Sequence, residues 1–257
     1  MESHLLSLFV YDLIYTLSRV KEAVYFIRDN QLWKGMMGYS WLSRILLVVG
    51  SLISLKFMSS FFKWYQHGVN EEHHNAIYQA FASTGHAFSD SFGFMFNGSF
   101  KYILLIVFEI FIFHFSRRAI ELLTGIQTHA SWKDFVAAQK RMIQIAIRNY
   151  AFEMLIVFLI GIPLGMIGMT FIKPVIAWLI GCYFIGFTLI DNYHEVYELN
   201  IKESEKRAKS YLGISFGVGL VANTLMFVPV LGSLIGSILG AVLAAMCMYD
   251  LESKVTV

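Results

Sequence analysis

The chain of 257 residues has 57% hydrophobic and only 15% charged side chains, and its mean hydropathy is +0.60. That apolar share is above, and that charged share below, those of soluble domains. The formal net charge of +2 is small, and no basic run is long enough to neutralise a phosphate backbone, which argues against nucleic acid as a partner. These values describe an all-α integral membrane protein folded as one unit over 1–257, with the lipid bilayer as its first partner.

Polar residues occur from the start (Glu2, Ser3, His4, Asp12), and no basic segment precedes a short apolar core, so no cleaved leader is expected. From Leu5 to Ile27 the apolar residues Leu6, Phe9, Val10, Leu13, Leu17, Val20, Val24 and Ile27 recur at three and four. Asp12, Arg19, Lys21 and Glu22 fall elsewhere around the same helix. It holds too many charges to span, and 1–38 is predicted to be an amphipathic interfacial segment. The first transmembrane helix is predicted over 39–62 and the second over 92–115, the latter carrying Glu109 inside its apolar run.

The segment between them, 63–91, is rich in histidine and acid (Glu71, Glu72, His73, His74) and reads as an outer loop. Adjacent residues on a helix point in different directions, so this cluster predicts no metal site, and no cofactor is expected. Segment 116–150 carries six basic residues, Arg117, Arg118, Lys133, Lys140, Arg141 and Arg148. The positive-inside rule places it, with both termini, on the cytoplasmic side of an inner (plasma) membrane. Trp132, Phe135, Val136, Met142, Ile143, Ala146, Ile147 and Tyr150 form an apolar face, so a second surface helix is predicted there.

Two apolar stretches follow, 151–190 and 211–249, each long enough for two helices. Pro163 and Lys173-Pro174 interrupt the first, and Pro229 interrupts the second. No polar loop marks either break, so each stretch is predicted to be a proline-broken helical hairpin. Spacing leaves open whether the hairpins cross fully or stop part-way through the bilayer. Gly232, Gly236, Gly240 and Ala244 recur every fourth residue, a face that a neighbouring helix can approach closely. Cys182 and Cys247 both lie in apolar segments and read as small buried hydrophobes.

The second half resembles the CysZ sulfate permease family and its eukaryotic relative, the etoposide-induced membrane protein family. The resemblance rests on Asp191-Asn192-Tyr193, the linker Lys202-Glu203-Ser204-Glu205-Lys206-Arg207, Phe216-Gly217, and the turn Phe227-Val228-Pro229-Val230-Leu231-Gly232. It continues into a small-residue helix closing at Tyr249-Asp250 and covers about Arg148 to Glu252. It implies two long transmembrane helices plus two hairpins that enter the bilayer without crossing it, uptake of sulfate, and assembly into a homo-oligomer. That family holds its anion with a Gly-Leu-Arg-Arg type motif, and the matching position here reads Gln31-Leu32-Trp33-Lys34. Lys34 and nearby Arg28 are then the available cations, and a lysine offers a point charge where a guanidinium offers a fork.

The candidate anion contacts are thus Arg28, Lys34, Lys173 at the first break and Asn223 in the second hairpin. Lipid-headgroup anchoring is the competing reading for Arg28 and Lys34, and a helix-helix hydrogen bond for Asn223. Glu109 and Glu153 are intramembrane charge candidates, each expected to be paired, with Arg148 or Lys173, rather than to relay protons. No catalytic pairing is visible, so an enzyme is not expected. The leading expectation is a permease or channel for a small inorganic anion, sulfate first. The alternative is a non-transporting interaction protein of the same fold that holds a membrane protein partner.

Overall fold

A computed structural model describes residues 2–34, 99–127, 132–228 and 231–255. The expected first transmembrane helix at 39–62, the outer loop at 63–91, the start of the second transmembrane helix and Pro229 itself lie outside the described residues. Among those residues every regular element is helical. The helices are α1 (Glu2–Ser18), α2 (Val20–Asp29), α3 (Ser99–Val107), α4 (Glu109–Thr124) and α5 (Trp132–Met166). After a 3-10 turn at Thr170–Ile172 come α6 (Lys173–Val196), α7 (Ile201–Ser210), α8 (Leu212–Leu225) and α9 (Leu231–Val255).

Three helices are long and apolar enough to cross a membrane, over Lys133–Met166, Lys173–Val196 and Leu231–Ser253. At 1.5 Å per residue α6 and α9 reach about 36–38 Å, more than a hydrocarbon core of about 30 Å. The 14-residue α8 reaches only about 21 Å. The second hairpin therefore pairs one arm of spanning length with one that falls short of it.

The bundle is built on α6, α8 and α9. Gly186 on α6 faces the Ser215 carbonyl of α8, and Gly219 on α8 faces the Cys182 carbonyl of α6, so tightly that a methyl group at either glycine would overlap backbone. Backbones that close gain dispersion contacts that no larger side chain permits, which substitutes in lipid for the hydrophobic drive available in water. The glycine stripe of α9 is a packing face as expected: Gly232 and Gly236 lie on the Leu225 and Ala222 carbonyls of α8, and Gly240 on Leu189 of α6. Helix α4 covers another side of α9, and α5 lies along α6.

Several elements differ from the sequence reading. The expected surface helix and first hairpin arm are one 35-residue helix, α5, which runs through Pro163 without stopping. Proline removes one N–H and crowds the carbonyl four residues back, but only three residues of helix remain after it, so the other bonds hold. The chain turns instead at Gly168, whose φ of +73° suits a residue without Cβ. Pro174 then stands in the first turn of α6, where its missing N–H costs nothing.

The N-terminal amphipathic segment, likewise, is two helices that meet at Arg19. Helix α1 packs on Gly213 and Gly217 of α8 through Phe9, Asp12, Leu13 and Thr16. Arg19 forms an ion pair with Asp250 of α9, and the Tyr15 hydroxyl donates to the same carboxylate at 2.7 Å. The segment thus docks on the bundle, with Asp12 and Thr16 buried. The expected second transmembrane segment is interrupted at Phe108 and continues as α4 past residue 115 to Thr124, α6 runs past residue 190 to Val196, and the last helix runs on past residue 249 to Val255.

Candidate functional site

The interior face of α5 carries Arg141, Asn149 and Glu153, spaced by eight and then four, which puts all three on one side of a helix of 3.6 residues per turn. That side meets α6. Arg141 grips Asp191 with both arms of its guanidinium, Nε to Oδ2 at 2.7 Å and Nη2 to Oδ1 at 2.8 Å, and its Nη1 donates to the Leu199 carbonyl at 2.6 Å. Farther along, Asn149 donates to the Thr188 hydroxyl at 3.0 Å. About 18 Å beyond Arg141 along the helix, Glu153 is the meeting point of two donors. Lys101 Nζ lies 2.6 Å from Oε1, and the Tyr102 hydroxyl donates to Oε2 at 2.8 Å.

This Lys101–Glu153–Tyr102 group is buried. Gly181 of α6 makes room for it, since a methyl group there would overlap Lys101 Nζ. A buried ion pair survives desolvation only when its remaining donors and acceptors are also satisfied, and the phenol supplies the second bond to the carboxylate. The partner of Glu153 is thus Lys101. The expected Arg148 instead reaches Glu205 at 3.0 Å, because it lies toward α7 while Glu153 faces inward.

The other sequence candidates do not converge on this group. Arg28 is exposed, pairs with Asp29 at 2.8 Å and lies over the Tyr25 ring at 4.8 Å. Lys34 is exposed beyond the α2 turn, and the helix whose N-terminus was to assist it lies outside the described residues. Lys173 is exposed at the hairpin tip, with its ammonium end folded back over Gly161 of α5. Asn223 donates to the Trp178 carbonyl and to Cys182 Sγ, both at 3.4 Å, the helix-helix bond that competed with its anion-contact reading.

Glu109 is fully buried, and neither carboxyl oxygen has a hydrogen-bond partner among the described residues. The expected pairing is therefore not found there. Both cysteines are buried and free.

Sequence reasoning missed Lys101 and Tyr102. It treated the start of the second transmembrane helix as an apolar run, and only the buried carboxylate at Glu153 reveals what Lys101 is for. The spacing of Arg141, Asn149 and Glu153 was a signal that could have joined the surface segment to the hairpin arm as one helix with a polar inner edge.

At the charged end of the bundle, α7 is anchored by Glu205, which accepts from Lys209 at 2.8 Å and from Arg148 at 3.0 Å. Chiefly the Lys209 hydrogen bond, helped by Arg148, holds the Glu205 carboxyl below the ordinary carboxylate range. The Lys209 ammonium is correspondingly raised by Glu205. Nearby, a cavity of about 540 Å³ is lined by Tyr193, Tyr197, Arg207, Tyr211, Tyr249 and Glu252. Its two charges already face each other at 3.2 Å.

Three apolar helices of spanning length around a buried polar stripe point to a helical membrane protein. Compared with protein-family models, with curated proteins and with solved structures, the chain has no match.

Proposed function

We propose that the chain is a membrane permease or channel for a small inorganic anion, with sulfate the first candidate, in keeping with its resemblance to the CysZ family. The observation that carries this reading is the Lys101–Tyr102 donor pair fixed around a carboxylate. An ammonium and a phenol aimed at one buried point form a receptor for an oxyanion, and Glu153 is its internal occupant. Polar pairs continue from there along α5 and α6 through Asn149–Thr188 to Arg141–Asp191. A doubly charged, strongly hydrated ion enters hydrocarbon only where fixed donors replace its water, and such a stripe supplies them in sequence.

The hairpin tips favour passage along partly inserted helices. Met166 and Phe171 at the first tip are 83% and 75% exposed, and Val228 and Leu231 at the second are also exposed. Apolar tips of this kind are stable in lipid and costly in water. Such hairpins end within an inner membrane, their charged bases facing the cytoplasm. The family's oligomeric habit is carried over as part of the same proposal.

Uptake of labelled sulfate into liposomes holding the purified protein tests the reading: uptake above that of empty vesicles is expected, and a rate equal to theirs discards it. One observation favours the alternative, a non-transporting protein that binds a membrane partner. Arg28, Asn223 and the Lys101 group all have internal partners, and the outer face of α5 presents Phe152, Leu155, Phe158, Leu159 and Ile162 outward. A partner recovered stoichiometrically in mild detergent, together with absent sulfate uptake, supports that alternative.

A further inference from the structure

The most anomalous group in the bundle is Glu109. It stands at the start of α4 with no exposed surface and both carboxyl oxygens unpartnered among the described residues. An ionised carboxylate left without hydrogen bonds in an apolar interior costs several kcal/mol, on the order of the whole stability of a domain. The surroundings add to that cost.

Helix α6 presents Asp191 and Glu195, both of which act on Glu109 with like charge. From α5 come Asp134, which acts on Glu195 with like charge, and Arg141, whose guanidinium is taken by Asp191 at 2.7 and 2.8 Å and approaches Glu195 at 4.0 Å. On α4 itself, Arg117 stacks on the Phe113 ring at 4.5 Å, and His114 is bonded to the Leu32 carbonyl at 2.9 Å. The described charges of α9, Asp250 and Glu252, engage Tyr15, Arg19, His194 and Arg207. The helix α3 adds only Lys101 to the list, and it is held by Glu153. Arg117 also acts on Glu195 as an opposite charge, but among the described residues neither oxygen of Glu109 has a hydrogen-bonding or ion-pair partner.

We propose that Glu109 is a proton-binding site: it carries a proton at neutral pH while Arg141 is held by Asp191, and it releases that proton when Arg141 is freed. Asp191 acts on Glu109 with like charge and is also the partner that holds Arg141, so removing the Asp191 charge both lifts that repulsion and leaves a guanidinium to offset an ionised Glu109. The O–H bond of Glu109 breaks and the proton passes to water when that pair opens. This does not rest on the anion reading, because neither its argument nor its test contains a substrate.

The test is infrared difference spectroscopy of the full chain in lipid at neutral pH. A carbonyl stretch of a protonated carboxylic acid, shifting on transfer to D2O, is expected in the wild-type protein and absent from Glu109→Gln. In Asp191→Asn, where Arg141 is released, the same band is expected to be lost. An unchanged carbonyl region in Glu109→Gln overturns the site, and a band that persists in Asp191→Asn overturns its coupling to Arg141.

Should Glu109→Gln fail to fold, mapping the wild-type protein with dicyclohexylcarbodiimide decides the point. This apolar reagent takes the carboxyl proton on one nitrogen, the carboxylate oxygen adds to its central carbon to give an O-acylisourea, and acyl transfer to nitrogen leaves a stable N-acylurea on the side chain. An adduct on the peptide holding Glu109 supports the proposal, and its absence beside adducts elsewhere in the chain overturns it.

Discussion

Lys101 and Glu153 lie at 2.6 Å in a buried setting, so the effect of deleting either side chain is asymmetric. Lys101→Met leaves a carboxylate with only the Tyr102 hydroxyl, and breaking one partner of a buried pair costs about 3–5 kcal/mol. Replacing both at once, Lys101→Met with Glu153→Leu, removes the charges together and is expected to recover most of that loss. The folded peak that survives heating in detergent, read by size exclusion, gives the stability order. A double variant as unstable as the single one contradicts the pairing. Under the transport reading the double variant is also expected to fold yet take up no sulfate. Glu153 was visible in the sequence as a charge beside an apolar run; Lys101 was not, because a lysine at the start of a span ordinarily snorkels to the interface.

At the scale of elements, the crossing of α6 and α8 is the least forgiving contact in the bundle. Gly186→Val and Gly219→Val would each drive side-chain atoms into a carbonyl of the other helix, and both are expected to abolish recovery of folded protein. Gly165→Ala is the control, since no atom lies within 4 Å of the position its Cβ would take. It is expected to be neutral or to gain about 0.4–1 kcal/mol. Equal yields of Gly186→Val and Gly165→Ala would show that the helices do not approach so closely.

The linker helix α7 depends on charge in a different way. The Glu205 carboxyl titrates below its ordinary value, near 4.5, because Lys209 and Arg148 hold the ionised form. Its contribution is therefore fully present above about pH 4.5 and falls away as acid takes the pH through the lowered value. Thermal unfolding against pH is expected to show a loss for the wild-type protein in that acidic window that Glu205→Gln lacks. The sequence made the glycine stripe of α9 legible because its period of four matches the helix. It hid Gly186 and Gly219, whose partner is backbone and leaves no complementary residue to notice. It also suggested a break at Pro163, where the true turn uses Gly168 and the helix simply absorbs the proline.

On the whole-molecule scale the open quantity is how deep the hairpins reach. Helix α8 spans about 21 Å against about 30 Å of hydrocarbon, and its first residue follows directly on the charged α7. Under the proposal of partly inserted hairpins, with that base at the interface, the tip at Met226 to Val228 is expected to stop inside lipid, and the first hairpin's tip, with Met166, Ile167 and Phe171 exposed, is expected at the same depth. Cysteines placed at 171 and 228, with Cys182 and Cys247 replaced, are therefore expected to resist a membrane-impermeant maleimide from either side. Spin labels at the same positions are expected to be relaxed by dissolved oxygen more than by a polar nickel complex. A cysteine at 202 on α7 serves as the aqueous control. Rapid labelling at 171 or 228 would put the tips in water, make both hairpins complete crossings, and leave the Lys101 group a structural clasp between sealed helices.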